Sequence, residues 1–264
     1  MNYFDAHCHI QFPMYDEDRP EVLREMQEKG VGGLVVGVDN DSSRGAIVLV
    51  EKEDNLFATV GLHPNATTEE AFDMEMYRAL AKHPKVVAIG ECGLDMYRPE
   101  RPERARALQL EVFEKHLQLA VETEKPLMIH CRPAKGTSNS YEDLLALLTS
   151  YKKEFGDKLS GNIHFFVGDT AIAKKLLELD FTMSFTAVLT FTHDYDEVIS
   201  YLPATHIISE TDSPYLAPEG KRGTRNVPTA VISVVEAIAG IRKQDTEEIR
   251  LQILNNAKRV FLAG

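Results

Sequence analysis

The sequence predicts an α/β fold, a single (β/α)8 barrel of the TIM type over residues 1–264. Three observations predict it. Short apolar runs alternate with amphipathic stretches from end to end, with no linker, repeat or low-complexity segment between them. The short runs number eight, as a closed barrel of this type needs. Residues able to hold a metal gather at the C-terminal ends of those runs, where such barrels build their sites. A doubly wound open sheet is the alternative, but no glycine-rich turn follows the first strand.

The strand candidates, mostly rich in Val, Ile and Phe, are Tyr3–Cys8, Gly33–Val38, Leu56–Leu62, Val86–Cys92, Pro126–Cys131, Asn162–Phe166, Phe181–Phe185 and His206–Thr211. Helix signals lie between them. Pro20–Gly30 has a proline in its first turn and a glycine stop. Thr67–Ala81 opens on a capping box formed by Thr67 and Glu70, and Pro102–Thr123 is a long amphipathic run. Ser140–Phe155, Asp169–Leu179 and Asp194–Leu202 follow. Pro228–Ile241 and Asp245–Phe261 close the chain, the last with Asp245 and Glu248 as its box.

Composition narrows the function. With 44% hydrophobic residues among 264, the chain can bury roughly 70–75% of its unfolded surface and needs no staple to fold. The longest apolar stretch, Val227 to Ile241, is broken by Pro228, Ser233 and Glu236, so no membrane span of ~20 residues is expected. The N-terminus has no basic and no apolar leader region, and the three cysteines form no CxxC pair. A cytoplasmic protein is expected, with no obligate protein partner. The net charge of −12 argues against a protein that coats DNA with a broad basic face. A local basic mouth remains compatible with it.

The chemistry sits at the strand ends. His7 and His9 in Asp5-Ala6-His7-Cys8-His9 are two apart and share a face, which makes them a metal pincer. Strand four ends with Glu91 between Gly90 and Gly93, glycines that would let a ligand or metal come close. Strands five, six and eight end with His130, His164 and Asp212. Four histidines and two carboxylates thus fall at one end of one barrel. Buried separately they would be costly, and a shared metal centre compensates them together. Imidazole and carboxylate ligands without thiolate suit Zn²⁺, Mn²⁺ or Mg²⁺.

These stretches resemble the TatD-type metal-dependent hydrolases, a branch of the amidohydrolase-like barrels. The resemblance runs in order through Asp5–His9, Gly61-Leu62-His63-Pro64, Gly90–Asp95, His130-Cys131-Arg132-Pro133-Ala134, His164–Gly168, Glu210–Leu216 and Arg222–Pro228, nearly the whole chain. Pro133 stands where an aspartate is common, and Val167 where a small hydroxyl residue is usual; neither is a ligand. The resemblance implies a two-metal site, with His7, His9 and Asp212 on one ion, His130 and His164 on the other, and Glu91 bridging. It also implies a metal-activated water, with Asp212 able to take its proton, and deoxyribonuclease action of the 3′–5′ exonuclease type.

Local charge is consistent with an anionic substrate such as DNA. Arg98, Arg101, Arg104 and Arg106 face only two glutamates after strand four, Arg132 and Lys135 follow strand five, and Lys221, Arg222 and Arg225 follow strand eight. Of these, Arg104 and Arg106 are expected to pair with helix carboxylates. Arg132 and Arg225 are the candidates for bidentate phosphate contacts. His63, also at a strand end, is a candidate for touching substrate or donating a proton. His83, His116 and His206 read as structural, and His193 is left open. Cys8, Cys92 and Cys131 each adjoin a ligand and should point outward, towards the helices. Asp5 and Glu210, each two residues before a ligand, should face inward one layer below the metals, one of them accepting from a ligand histidine. Two other readings keep the same residues: an ester, lactone or amide hydrolase on the same metals, and a non-catalytic binding or scaffold protein.

Overall fold

The computed structural model describes residues 1–97 and 102–262. Eight parallel strands follow one another around a nearly closed barrel in chain order: β1 (Tyr3–Cys8), β2 (Val31–Val36), β3 (Leu56–Val60), β4 (Val86–Asp95), β5 (Leu127–Arg132), β6 (Gly161–His164), β7 (Thr182–Phe185) and β8 (Ile207–Ser209). All eight apolar runs are strands, shifted by a few residues at their ends. The seam between β8 and β1 is laced by the loop after β8: Asp212 N donates to His7 O (2.9 Å) and His9 N to Ser213 O (2.8 Å). The last strand therefore delivers Asp212 directly beside the two histidines of the first.

Helices α1 (Arg19–Glu28), α2 (Asn40–Val50), α3 (Met74–Ala81), α4 (Pro102–Thr123), α5 (Asn139–Phe155), α6 (Thr170–Glu178), α7 (Asp196–Tyr201), α8 (Val231–Arg242) and α9 (Thr246–Phe261) complete the fold. Two differ from the sequence expectation. No helix was expected at α2, yet Asp39 accepts from Ser42 N (2.7 Å) and the Ser42 hydroxyl accepts from Asp39 N, a full capping box. Conversely, Thr67 and Glu70 do not cap α3. Thr67 lies in a short 3-10 turn, and Asp73 caps α3 through Met76 N.

Two core layers result. Cys8, Val35, Ile89, Cys92, Ile129 and Cys131 pack outward with the helices in one large cluster, as the alternation of strand side chains requires. Inside the barrel lie Phe4, Ala6, Leu34, Val36, Ala88, Met128 and Ile208, closed at the N-terminal end by Leu254, Ala257 and Phe261 of α9. That helix is tied across the strand starts by Asn256, which donates to Ala204 O and Ile207 O.

Ala6 faces inward, and so does the next residue, His7. A register irregularity explains this: Asp5 pairs with Gly33 but Cys8 pairs with Val35, so β1 carries one extra residue. The alternation flips there. β4 does the same between Ile89 and Cys92, so Ala88 and Glu91 both point inward. Among the described residues no helix is long and apolar enough to cross a membrane.

Candidate active site

Glu91 is the hub of the C-terminal end. Its Oε2 lies 3.3 Å from His7 Nε2 and 3.9 Å from His9 Nε2. Its Oε1 lies 3.0 Å from His130 Nδ1, 3.4 Å from His63 Nε2 and 3.8 Å from His164 Nε2. Asp212 stands on the first side, its Oδ1 3.5 Å from His9 Nε2 and 3.8 Å from His7 Nε2. One carboxylate thus faces two sets of imidazoles, one set per oxygen. All line or underlie a cavity of about 670 Å³, whose walls include Phe12, Arg132, Phe165 and Tyr215.

The backbone around Glu91 explains its two glycines. Gly90 (φ +145°) and Gly93 (φ +127°) adopt conformations closed to other residues, and a Cβ on them would fall 2.3 Å from Met128 O and 2.1 Å from His130 O. The glycines therefore serve the close approach of β5, not access for a ligand. Asp212 (φ 53°) also sits in the left-handed region, which a short polar residue tolerates.

Burial would push the Glu91 carboxyl up, but the imidazoles of His63, His7 and His130 outweigh it and hold Glu91 well below the usual range. Asp212 is likewise held down against its burial, chiefly by His9. Both are anions.

The groups beside His9, His130, His164 and His63 indicate which nitrogen of each faces the site. His9 Nδ1 lies 2.9 Å from Val36 O, which only accepts, so Nδ1 carries the proton and Nε2 offers a lone pair to the site. His130 is reversed: Nε2 donates to Asp95 (3.1 Å), leaving Nδ1 towards Glu91. His164 turns Nδ1 towards Glu210 at 2.9 Å and Nε2 towards the site. His63 is different again. Its Nδ1 accepts from Asn65 N (3.1 Å), so in the neutral ring Nε2 carries the proton and is a donor.

Without an ion, Asp95 and Glu91 raise the pKa of His130, and Glu210, Glu91 and Asp212 raise that of His164 to about 10, so protons compensate the carboxylates. With those protons displaced, the nitrogens of His9, His130 and His164 that face the site would offer lone pairs beside two carboxylates, a donor set that fits divalent cations. Two clusters within metal-binding reach share Glu91: His7 with His9, and His63 with His130.

Arg132 lines the cavity and stacks on Tyr97 at 4.0 Å. Arg225 does not reach it: its guanidinium binds both oxygens of Asp18 (2.7 and 2.5 Å) and Met14 O, and it lies over Tyr15. Arg106 is paired with Asp143, and Arg98 and Arg101 fall outside the described residues. His116 is buried in α4, while His193 and His206 pair with Asp196 and Asp180. The cysteines are free and buried in the outer layer.

Glu210 faces His164, one of the expected ligands. Asp5 does not: the flip in β1 turns it to the β8 seam, where it accepts from Thr211 N (2.8 Å) and Thr211 Oγ1 (2.6 Å). Asp95 was missed as a participant. Its signal was positional, two residues beyond Gly93, which pairs with His130 in register.

A parallel eight-stranded barrel with a histidine–carboxylate cluster at its C-terminal face has the build of a metal-dependent hydrolase. The chain matches TatD related DNase over residues 4–262 and belongs to that family. It is 35% identical over 262 residues to the uncharacterized metal-dependent hydrolase YabD of Bacillus subtilis (strain 168), covering 98% of each chain. It is 34% identical to the similarly described YcfH of Escherichia coli (strain K12), covering 97% of this chain and 94% of that one. Among solved structures, the TatD homolog YJJV from Escherichia coli superposes with a TM-score of 0.88 at 24% identity, covering 100% and 99%, a likeness of fold.

Proposed function

We propose that this protein is a two-metal phosphodiesterase acting on nucleic acid, of the deoxyribonuclease type and working from the 3′ end. The observation that carries the two-metal reading is the split of Glu91, one oxygen towards His7 and His9 and the other towards His130 and His164. In this reading His7, His9, Asp212 and Glu91 hold one ion, and Glu91, His130 and His164 the other. Divalent ions held there supply a lowered pKa for the attacking water and charge compensation at the phosphoryl oxygens. DNA as the polymer is supported by the family's description as DNases.

The chain's own residues divide the remaining work. Asp212 is ionised, lines the cavity and takes the proton of the attacking water. His63, whose Nε2 stands 3.4 Å from Glu91 Oε1 at the same wall, is assigned to donate to a phosphoryl or leaving oxygen. Arg132, its plane fixed by Tyr97, holds a non-bridging phosphate oxygen at the mouth.

The test is a panel of labelled DNA, RNA, bis-aryl phosphodiester and simple esters, each with Mn²⁺, Mg²⁺ or Zn²⁺. DNA should be shortened from its 3′ end, lost on chelation and restored by a divalent ion. Hydrolysis of the esters alone would replace the phosphodiesterase reading with that of an ester or lactone hydrolase. Full activity after confirmed metal removal would end the metal mechanism.

A further inference from the structure

Three of the four ligand imidazoles have an evident acceptor behind them: Val36 O for His9, Asp95 for His130 and Glu210 for His164. His7 has none. Its Nδ1 is buried without a hydrogen-bond partner among the described residues, while its Nε2 faces Glu91. If Nε2 binds an ion, Nδ1 must carry a proton, and a buried N–H without an acceptor is costly.

The nearby group able to take that proton is Glu210. Ring nitrogens of His7 and His164 and a carboxylate oxygen of Glu210 lie within 4.8 Å of one another, all buried. The two rings stack face to face, centroids 3.6 Å apart and planes within 21°, so they present themselves to one side together. The approach of His164 Nδ1 to Glu210 is close but bent, so this ring too has no well-aligned partner.

A carboxylate offers about four acceptor positions. Phe165 N–H fills one on Oε1 (2.7 Å) and Ser184 Oγ–H one on Oε2 (2.5 Å). Two remain for two imidazole N–H groups. Ser184 is itself held by Asn162 (2.7 Å), whose amide oxygen accepts from Thr182 (3.0 Å), so the carboxylate stands on a buried polar chain that fixes it.

We infer that Glu210 is the common proton acceptor of His7 and His164, one ligand of each ion, and thereby a positioning residue that ties the two half-sites together. The inference rests on the two-ion reading above. It separates Glu210 from Asp95, which serves His130 alone.

The experiment is calorimetric titration of the metal-free protein with Zn²⁺, in the wild type and in Glu210→Gln, Ser184→Ala and Asp95→Asn. Folding of each variant is checked by thermal melting. The wild type should bind two ions. Glu210→Gln should weaken both binding steps by about 10–100-fold, the usual size for losing the group behind a ligand histidine. Ser184→Ala should weaken both by less, and Asp95→Asn should weaken one.

Loss of a single step in Glu210→Gln, with two ions in the wild type, would overturn the shared-acceptor inference alone. Fewer than two ions in the wild type would overturn the two-ion reading and the inference with it. A third equivalent of Zn²⁺, absent in Glu210→Gln, would overturn the inference in favour of a third ion. Should Glu210→Gln not fold, nitrogen-15 spectra of the Zn²⁺-loaded wild type decide. Slowly exchanging Nδ1–H protons on both His7 and His164 support the inference, and a His7 ring protonated at Nε2 overturns it.

Discussion

At the N-terminal end of the barrel the inward side chains include Phe4, Ala6, Ala88, Met128 and Ile208, sealed by α9; a few residues further along the same strands they are His7, Glu91, His130 and Glu210. The first end gains from every apolar contact and needs no partner in particular. The second must match each lone pair to a proton or a cation, because an unmatched one costs more than a contact gains. β5 and β8 make the change in step with ordinary alternation, whereas β1 and β4 need an extra residue to do it. One barrel thus keeps its stability and its chemistry at opposite ends, and substitutions at the two ends should act on different measurements.

The largest effects are expected at the polar end. Glu91→Gln removes the charge faced by both histidine sets, so metal content and turnover should fall together. Asp212→Asn keeps a carbonyl oxygen that can ligate weakly but loses the base, so most of the metal should stay while turnover drops by about 10²–10⁴. Metal analysis beside kinetics on the two purified proteins checks this. An empty Asp212→Asn beside a fully loaded Glu91→Gln would exchange the two roles.

The opposite end should respond in the other currency. Phe4 of β1 is buried in the inner cluster that α9 closes, and Phe4→Ala should destabilise by about 3–5 kcal/mol through lost burial and the cavity left behind. Urea unfolding measures that loss. Turnover per folded molecule should be unchanged, and a selective fall in turnover would show the two ends to be coupled.

How far the sequence discloses this division depends on what each end requires. Apolar runs mark themselves, and every strand was legible as a short Val-, Ile- and Phe-rich segment. The six proposed ligands were legible because each closes a run. What composition hides is register. Nothing in Asp5-Ala6-His7 announces an extra residue, so strict alternation turns Asp5 inward, whereas in the fold it accepts from Thr211. Asp95, given no role from the sequence, is buried beside His130 through the pairing of β4 with β5. Arg225 was misjudged because what a surface charge serves is decided by what stands within about 3 Å, and Asp18 lies 207 residues from Arg225 in the chain.

His116, on α4 behind the loop that follows β3, offers a pH-dependent test. Its Nε2 accepts from Leu62 N (3.0 Å), next to His63, and its Nδ1 donates to Val112 O (2.8 Å). Burial pushes its pKa down to about 4, from an ordinary 6.5. Between those values the unfolded chain binds a proton that the folded chain refuses, so stability is full above pH 6.5 and is lost as pH falls towards 4. The loss from this group should approach about 3 kcal/mol at 1.36 kcal/mol per unit. His116→Gln keeps an acceptor for Leu62 without the titration. The gap between wild-type and variant stability should therefore change with pH by that amount, and parallel curves would remove His116 from the account.

The smallest expected effects separate two arginines that the sequence treats alike. Arg132 is half-buried at the cavity mouth with its face on Tyr97, whereas Arg225 has both guanidinium arms committed to Asp18 and Met14 O, beside a different cavity that opens at the start of α8. A phosphate would have to displace Asp18 to use Arg225, exchanging one carboxylate partner for another anion at little gain. Arg132 lines the cavity where Glu91, Asp212 and the histidines stand. Arg132→Ala should therefore raise KM for an oligonucleotide about tenfold, the size of one charge-assisted hydrogen bond. It should leave kcat nearly unchanged, and the penalty should shrink in high salt, where screening already weakens the attraction. Arg225→Ala should leave both constants within about twofold and lower the melting temperature slightly, as Tyr15 and the turn at Met14 lose their clamp. Steady-state kinetics on the two variants at low and high salt make the comparison. If Arg225→Ala carried the KM effect and Arg132→Ala did not, the substrate would enter over the α8 side and the pairing with Asp18 would be one that substrate breaks.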